Sequence, residues 1–209
     1  MNDAKKSSKV TNRKCFFHEG SFFYFYRKSP KSWVSISVGP NWIMVSCMII
    51  FLLYVGYMST KFLPLLLTTP LQALAWILYF IAVNSYLYTA TCNPGRIAPS
   101  EDNSIENGEY LSHLGYVWCK YCQIYRHPNA VHCYECNCCY QKMDHHCNFM
   151  GQCVAKRNII SFYLFLVTSI CYIVVIEVGI LKRLRSVRNP LEIVYFLLGG
   201  WSKILNKPK

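Results

Sequence analysis

Three long stretches free of Asp, Glu, Lys and Arg constrain this chain more than any other feature. They lie between Lys31 and Lys61, between Lys61 and Arg96, and between Arg157 and Glu177. Crossing ~30 Å of hydrocarbon takes roughly 20 mainly apolar residues in a helix. Each stretch can supply that, so membrane-spanning helices are predicted near residues 42–60, 66–90 and 159–181. The hydrophobic share, 53% of 209 residues, is gathered into these runs rather than spread as in a soluble core. Pro64 and Pro70 are expected to mark an irregular start of the second helix, with Leu71 to Ala90 as its regular part. Cys92-Asn93-Pro94-Gly95 supplies its stop.

Charge gives an expected orientation. The first 31 residues carry eight Lys or Arg against two acids, whereas the connection between the first two helices holds only Lys61. By the positive-inside bias the N-terminus faces the cytosol, and so does the segment 96–157. No secretory signal peptide is expected, because the first apolar run lies behind a polar, basic stretch. The resulting plan is a cytosolic basic segment (1–41), two membrane helices (42–95), a cytosolic cysteine-rich module (96–157), a third helix (158–181) and a basic tail (182–209). In that tail Lys182, Arg183, Arg185 and Arg188 precede a ten-residue uncharged run, Ile193 to Ser202. Ten residues are too few to span, so a fourth membrane helix is expected to be absent or truncated.

The module holds the reactive chemistry. Eight of the twelve cysteines fall between residues 119 and 153: Cys119, Cys122, Cys133, Cys136, Cys138, Cys139, Cys147 and Cys153. His132, His145 and His146 stand among them. In the cytosol thiols stay reduced, and two Cys-x-x-Cys pairs with nearby histidines have the donor types and spacing of tetrahedral zinc. A small polar module with few large aliphatic side chains would depend on metal for its stability. Two closed sites need eight ligands, so these eleven residues leave three over. Adjacent side chains such as His132 and Cys133, or His145 and His146, tend to point apart and so to serve different partners. Asp144-His145-His146-Cys147 puts a carboxylate, an imidazole and a thiol within four residues, the makings of an activated nucleophile. From these residues alone, Cys147 is equally readable as a nucleophile or as one more zinc ligand.

The order Cys119-x2-Cys122-x9-His132-Cys133-x2-Cys136-x2-Cys139-x4-Asp144-His145-His146-Cys147-x5-Cys153-x4-Asn158-x3-Phe162 resembles the cysteine-rich signature of the DHHC palmitoyltransferase family. The resemblance implies a polytopic α-helical membrane protein with a small cytosolic two-zinc module, resident in the endoplasmic reticulum or Golgi. It also implies an enzyme that moves palmitoyl from palmitoyl-CoA to cysteines of membrane-associated proteins through an acyl-enzyme intermediate. Carried over by position, Cys147 is the nucleophile, His145 its base and Asp144 the residue that orients His145. One Zn2+ takes Cys119, Cys122, His132 and Cys139; the other takes Cys133, Cys136, His146 and Cys153. Cys138 has no place in the pattern.

A long-chain acyl-CoA must present its thioester at the membrane surface, because its phosphates cannot enter hydrocarbon. Arg126, Lys156 and Arg157 are candidates to meet those phosphates, although solvated or interfacial anchoring is the simpler reading of each. Trp76, Tyr79, Phe162 and Phe165 could line an acyl pocket, with ordinary helix packing as the simpler account. The chain departs from the family in carrying Asn93-Pro94-Gly95 where Asp-Pro-Gly is usual, and in having no Thr-Thr-x-Glu after its last apolar run. The alternative is therefore a catalytically impaired or non-catalytic membrane zinc module derived from the same family. Nucleic acid is not an expected partner: residues 96–157 carry six basic and six acidic residues, a net charge of zero, and predicted membrane helices flank them.

Overall fold

The computed structural model describes residues 17–19, 21–27 and 35–186. They form strands β1 (Phe17–Glu19), β2 (Phe22–Arg27) and β3 (Ser35–Val38), then helices α1 (Trp42–Leu66) and α2 (Thr69–Thr91). After β4 (Arg96–Ile97) and the short α3 (Gly108–His113) come β5 (Val117–Cys119) and β6 (Ile124–Arg126). Strands β7 (Ala130–Cys133), β8 (Cys138–Gln141), β9 (His145–Cys147) and β10 (Gln152–Val154) lead into α4 (Ile159–Ser186). The chain divides into two compact units. One takes the described residues up to Ser46 together with Leu87–Ile160; the other takes Cys47–Tyr86 and the described residues from Ser161.

The helical unit is built from α1, α2 and α4, each long and apolar enough to cross a membrane. Their outward faces are what lipid requires: Ile50, Phe51, Leu53, Ile77, Phe80, Val167 and Ile170 are all exposed. Water would penalise such a surface, whereas hydrocarbon does not. Inside, Leu63, Leu67, Ala75 and Tyr172 form a buried cluster. Tyr79 packs edge-on against Trp76 and donates its hydroxyl to the Leu52 carbonyl at 2.8 Å. That approach needs the bare backbone of Gly56, where a Cβ would run into the Tyr79 hydroxyl. Ser59 and Tyr172 share a buried hydroxyl–hydroxyl hydrogen bond.

The helix boundaries correct one expectation. Pro64 lies inside α1, which runs on to Leu66, and only Pro70 belongs to the second helix. In the first turn of α2 the missing proline N–H has no intrahelical partner to lose. Pro64 lies in the last turn of α1 and forgoes the bond that an N–H there would make to the Thr60 carbonyl. The first span is thus longer than predicted, and the Ile193–Ser202 run, with Arg188, lies outside the described residues.

The other unit is made of small antiparallel pieces. Sheets β1-β2-β3, β5-β6, β4-β8-β7 and β9-β10 have strands of two to six residues. The N-terminal sheet was not foreseen; its signal is the run Phe22-Phe23-Tyr24-Phe25-Tyr26, which has strand composition. The backbone N–H of Ser21, at its hairpin turn, donates to the Cys136 carbonyl at 3.1 Å. Asn93 takes the place of an aspartate without loss at this turn, because its Oδ1 accepts from the N–H groups of Gly95 and Arg96, both at 3.0 Å. A neutral amide oxygen performs that task, and Gly95 supplies the positive φ of 109° that the bend requires.

Candidate metal centres and reactive hairpin

Two similar turns start the assembly. Cys119 and Cys122 flank one, and Cys133 and Cys136 the other, fourteen residues on. Each is closed by a residue in left-handed conformation, Gln123 (φ 52°) and Asn137 (φ 51°). In the first, the N–H of Gln123 returns to the Cys119 carbonyl at 2.8 Å. Each turn therefore presents two sulphurs on one side of a tight bend.

The second half of each donor set is a pair of residues directly opposite each other in a hairpin. His132 faces Cys139 across β7–β8, and His146 faces Cys153 across β9–β10. Cross-strand neighbours sit close enough for their side chains to meet. The result is two sets, Cys119/Cys122/His132/Cys139 and Cys133/Cys136/His146/Cys153, in each of which four ligand atoms lie within 4.8 Å of one another. His132 and Cys133 are adjacent in β7 and serve different sets, as strand alternation requires.

The spacing within each set is that of a tetrahedral metal cage. Cys139 and Cys122 are 3.7 Å apart, as are Cys136 and Cys153; His132 Nδ1 is 3.2 Å from Cys122, and His146 Nδ1 is 3.3 Å from Cys136. Zinc bonds of ~2.3 Å to sulphur and ~2.0 Å to nitrogen generate ligand–ligand edges of roughly 3.5–3.8 Å. The donor chemistry fits Zn2+ as well, since three thiols and an imidazole form a closed structural site. The other ring nitrogen of His146, Nε2, lies 3.0 Å from a carboxylate oxygen of Glu135.

Proton affinities point the same way. Cys122 is held down to about 5, mainly by a hydrogen bond from Cys139, whose own thiol is pushed up by that same contact. In the other set Cys133 is held well down, mainly by a bond from Cys136, which is pushed up to about 12; Cys153 is pushed up by Cys133. In each cluster, one thiolate is solvated by neighbouring thiols that keep their protons. Full ionisation of such a cluster needs a cation in its midst.

Strand β9 carries one ligand of the second set, His146. Alternation along the strand sends His146 toward the metal set and leaves His145 and Cys147 together on the other face. His145 Nδ1 is 2.8 Å from Asp144 Oδ2, and both side chains are substantially exposed. With Nδ1 donating to the carboxylate, the lone pair lies on Nε2. Cys147 is half-buried and belongs to neither metal set. Cys138 is buried in a cluster with Cys133, Cys136 and Tyr140, also outside both sets. His127, which the sequence argument passed over, accepts a hydrogen bond from the Asn129 N–H at 3.2 Å and is no ligand of either set.

The reactive hairpin is anchored to the start of α1 and to the end of α2. Asn41, just before α1, donates its amide to Asn148 Oδ1 at 2.7 Å. Gly151, with φ of 67°, passes so close to Val45 that a Cβ would lie 2.5 Å from its Cγ2. Gln152 and Asn158, both fully buried, reach the last turn of α2. Gln152 Nε2 donates to the carbonyls of Thr89 (2.7 Å) and Cys92 (2.9 Å), and Asn158 Nδ2 donates to Thr89 at 3.3 Å.

Two of the cavities among the described residues differ in chemistry, one in each unit. One, of about 400 Å³, lies in the zinc-module unit and is lined by Arg126, Lys142 and Lys156 with a single acid, Asp102, and by His127, Tyr116 and Tyr125 among others. Two of the three predicted phosphate contacts therefore meet there. Arg157 does not line it; its backbone N–H donates to the Pro94 carbonyl at 3.2 Å. Lys142, just after β8, stands on the same wall. The other cavity, of about 300 Å³, lies in the helical unit and is almost wholly apolar, with Val55, Met58, Phe62, Leu63 and Ile176 on its walls and Ser59 and Tyr172 beside them. Trp76, Tyr79, Phe162 and Phe165 do not line it. They are engaged in ring packing: Trp76 with Tyr79 and Phe80, Phe165 with Tyr86, and Phe162 with Tyr163.

Comparison with known proteins adds the following. Residues 113–193 match the family model for DHHC palmitoyltransferase. The chain is 31% identical over 132 residues to human palmitoyltransferase ZDHHC14, covering 51% of this chain and 27% of that protein. It is 35% identical over 121 residues to Drosophila melanogaster palmitoyltransferase ZDHHC8, with 56% and 13% covered, and 33% identical over 101 residues to bovine palmitoyltransferase ZDHHC9, with 42% and 28% covered. The matched part thus spans less than a third of the length of each of these relatives.

Proposed function

Because the chain carries a DHHC domain and so belongs to the DHHC palmitoyltransferase family, we propose that it is a protein S-acyltransferase that uses Cys147 as its acyl carrier. The observation that carries this reading is the division of labour along β9. His146 is spent on a metal set, while Asp144, His145 and Cys147 are left for chemistry. Metal, when bound, supplies rigidity to the hairpin rather than a reacting group, since all four positions of each set are filled by protein.

His145 Nε2 takes the proton from the Cys147 thiol, and Asp144 stabilises the imidazolium that forms. The thiolate adds to the thioester carbonyl of palmitoyl-CoA. Collapse breaks the carbonyl–sulphur bond to CoA, whose thiolate regains a proton, and leaves palmitoyl on Cys147. A cysteine thiolate of a membrane-associated protein then attacks that carbonyl and releases Cys147. Both steps exchange one thioester for another, so no further energy source is required.

The basic cavity supports a site for the CoA phosphates, with Arg126 and Lys156 as charges and Tyr116 and Tyr125 as aromatic walls. Lys142 is added to that set, and Arg157 is retained only as a neighbour of the Pro94–Gly95 turn. The apolar cavity has the chemistry of a hydrocarbon-chain site, where each buried methylene contributes about 0.8 kcal/mol. Positive charge before the first helix supports a cytosolic module, and the family supports residence in the endoplasmic reticulum or Golgi.

The test is labelling with a clickable palmitoyl-CoA analogue. The wild-type protein should acquire a label that hydroxylamine removes, and Cys147→Ser should acquire none. Equal labelling of the two would end the assignment of Cys147, and absence of label on a zinc-loaded wild-type protein would favour the non-catalytic zinc module.

A further inference from the structure

We infer that Gln152 is a positioning residue for the acyl-transfer step, one that sets where Cys147 stands relative to the end of α2. The inference rests on the reading of Cys147 as the acyl carrier. Gln152 is the direct cross-strand partner of Cys147 in the β9–β10 ladder. Its side chain is 1% exposed, and every polar atom of the amide is used. Nε2 gives one hydrogen to Thr89 O at 2.7 Å and the other to Cys92 O at 2.9 Å, while Oε1 accepts from Arg96 Nη2 at 3.3 Å.

The two carbonyls are of the kind that every helix leaves without an internal partner at its C-terminus. A side chain from a remote strand caps α2, and the cap sits opposite the nucleophile. Ladder pairing transmits that placement, because the backbones of residues 147 and 152 are held to each other by the strand pair. The hairpin's metal ligands His146 and Cys153 form the adjacent rung and hold the hairpin to the second metal set, not to α2. Metal therefore shapes the hairpin, and Gln152 fixes its height on the helix end. A thiol reacting with a chain held in lipid is sensitive to that height, and a misplacement near 1 Å can cost on the order of 10²-fold in rate.

Gln152→Ala and Gln152→Asn separate this role from simple stability. Four quantities are read in the purified, zinc-loaded full chain: zinc per chain, self-acylation rate at saturating palmitoyl-CoA, the half-saturating concentration, and the rate of Cys147 alkylation by iodoacetamide mapped by mass spectrometry. Gln152→Ala should keep both zinc ions, the half-saturating concentration and the alkylation rate, each within about twofold, because thiolate character is untouched. Its acylation rate should fall on the order of 10²-fold. Gln152→Asn, one methylene too short to reach both carbonyls, should fall about tenfold and serves alone if the alanine variant does not fold. Wild-type acylation in both variants, or acylation lost together with zinc or with alkylation, would overturn the positioning role. Labelling that survives Cys147→Ser would instead remove the nucleophile on which the inference rests.

Discussion

The two units of this protein are held together by different means. In the helical unit, 20-odd-residue helices bring apolar side chains together, and a few hydroxyls such as Ser59 and Tyr172 pair inside. In the other, the longest strand of the metal-binding region has four residues, and the buried clusters are largely cysteine. Such strands are too short to stand by themselves. The contrast teaches that stability and reactivity rest on one residue type in the module, whereas the helices divide those roles between composition and shape.

The comparison breaks if the module survives without metal. Cys133→Ala, or a strong chelator, should remove the zinc binding that is worth on the order of 10 kcal/mol to a small zinc domain. Limited proteolysis should then cut between Val117 and Val154, while helical circular dichroism in detergent persists. Equal loss in both units would mean that they fold as one.

Within the module, adjacent histidines sharpen the contrast between scaffold and reaction. His145→Ala should keep two zinc ions and lose roughly 10²–10⁴-fold in self-acylation rate, the usual penalty for a missing general base. His146→Ala should lose zinc from one set. Zinc stoichiometry alongside acylation rates decides it, and an exchange of the two outcomes would reverse the assignments.

A third prediction concerns protons. The raised thiols, Cys136 at about 12 and Cys139 and Cys153 also well above the ordinary thiol range, must lose protons when metal enters. Added protons compete with zinc, so affinity falls as pH falls. From pH 7 to 5 the loss should be at least about a hundredfold per site, or tenfold per pH unit for each proton displaced. Competition with a chromophoric chelator measures this, and pH-independent retention would contradict it. Far-ultraviolet helicity should not follow the same curve.

Smaller effects test the joints. Gly151→Ala puts a Cβ against Val45 and a side chain at a φ of 67°, so it should cost roughly 1–2 kcal/mol from backbone strain alone. Val45→Ala should recover the clash but not the strain, as read by thermal unfolding of the double variant. Ser59→Ala should cost least, about 0.6 kcal/mol as is typical of a hydrogen bond between membrane helices. It should leave zinc content unchanged; a loss of zinc would show that the two regions are energetically coupled.

Legibility follows the same division. Helix positions came from composition over some twenty residues, because hydrocarbon thickness imposes a length that sequence displays directly. The missed extension of α1 through Pro64 is local: a proline three residues from a helix end is compatible with either side of the break. Trp76, Tyr79, Phe162 and Phe165, for which helix packing was the simpler account, do make ring contacts, and which face of a helix meets its neighbour is not readable from residue identity. In the module, donor types could be read from spacing, and their grouping into two sets only from the family resemblance. The pairing of β1, β2 and β3, the meeting of Lys142 with Arg126 and Lys156, and the capping of α2 by Gln152 could not. What the sequence determined by itself was the inventory: three spans, two Cys-x-x-Cys turns, and a thiol beside two histidines, each set by short-range spacing. Only the tertiary structure decided that Lys142 meets Arg126 and Lys156, and that Gln152 touches Thr89, sixty-three residues away. Those outcomes depend on strand register, which long-range pairing fixes and local sequence does not contain.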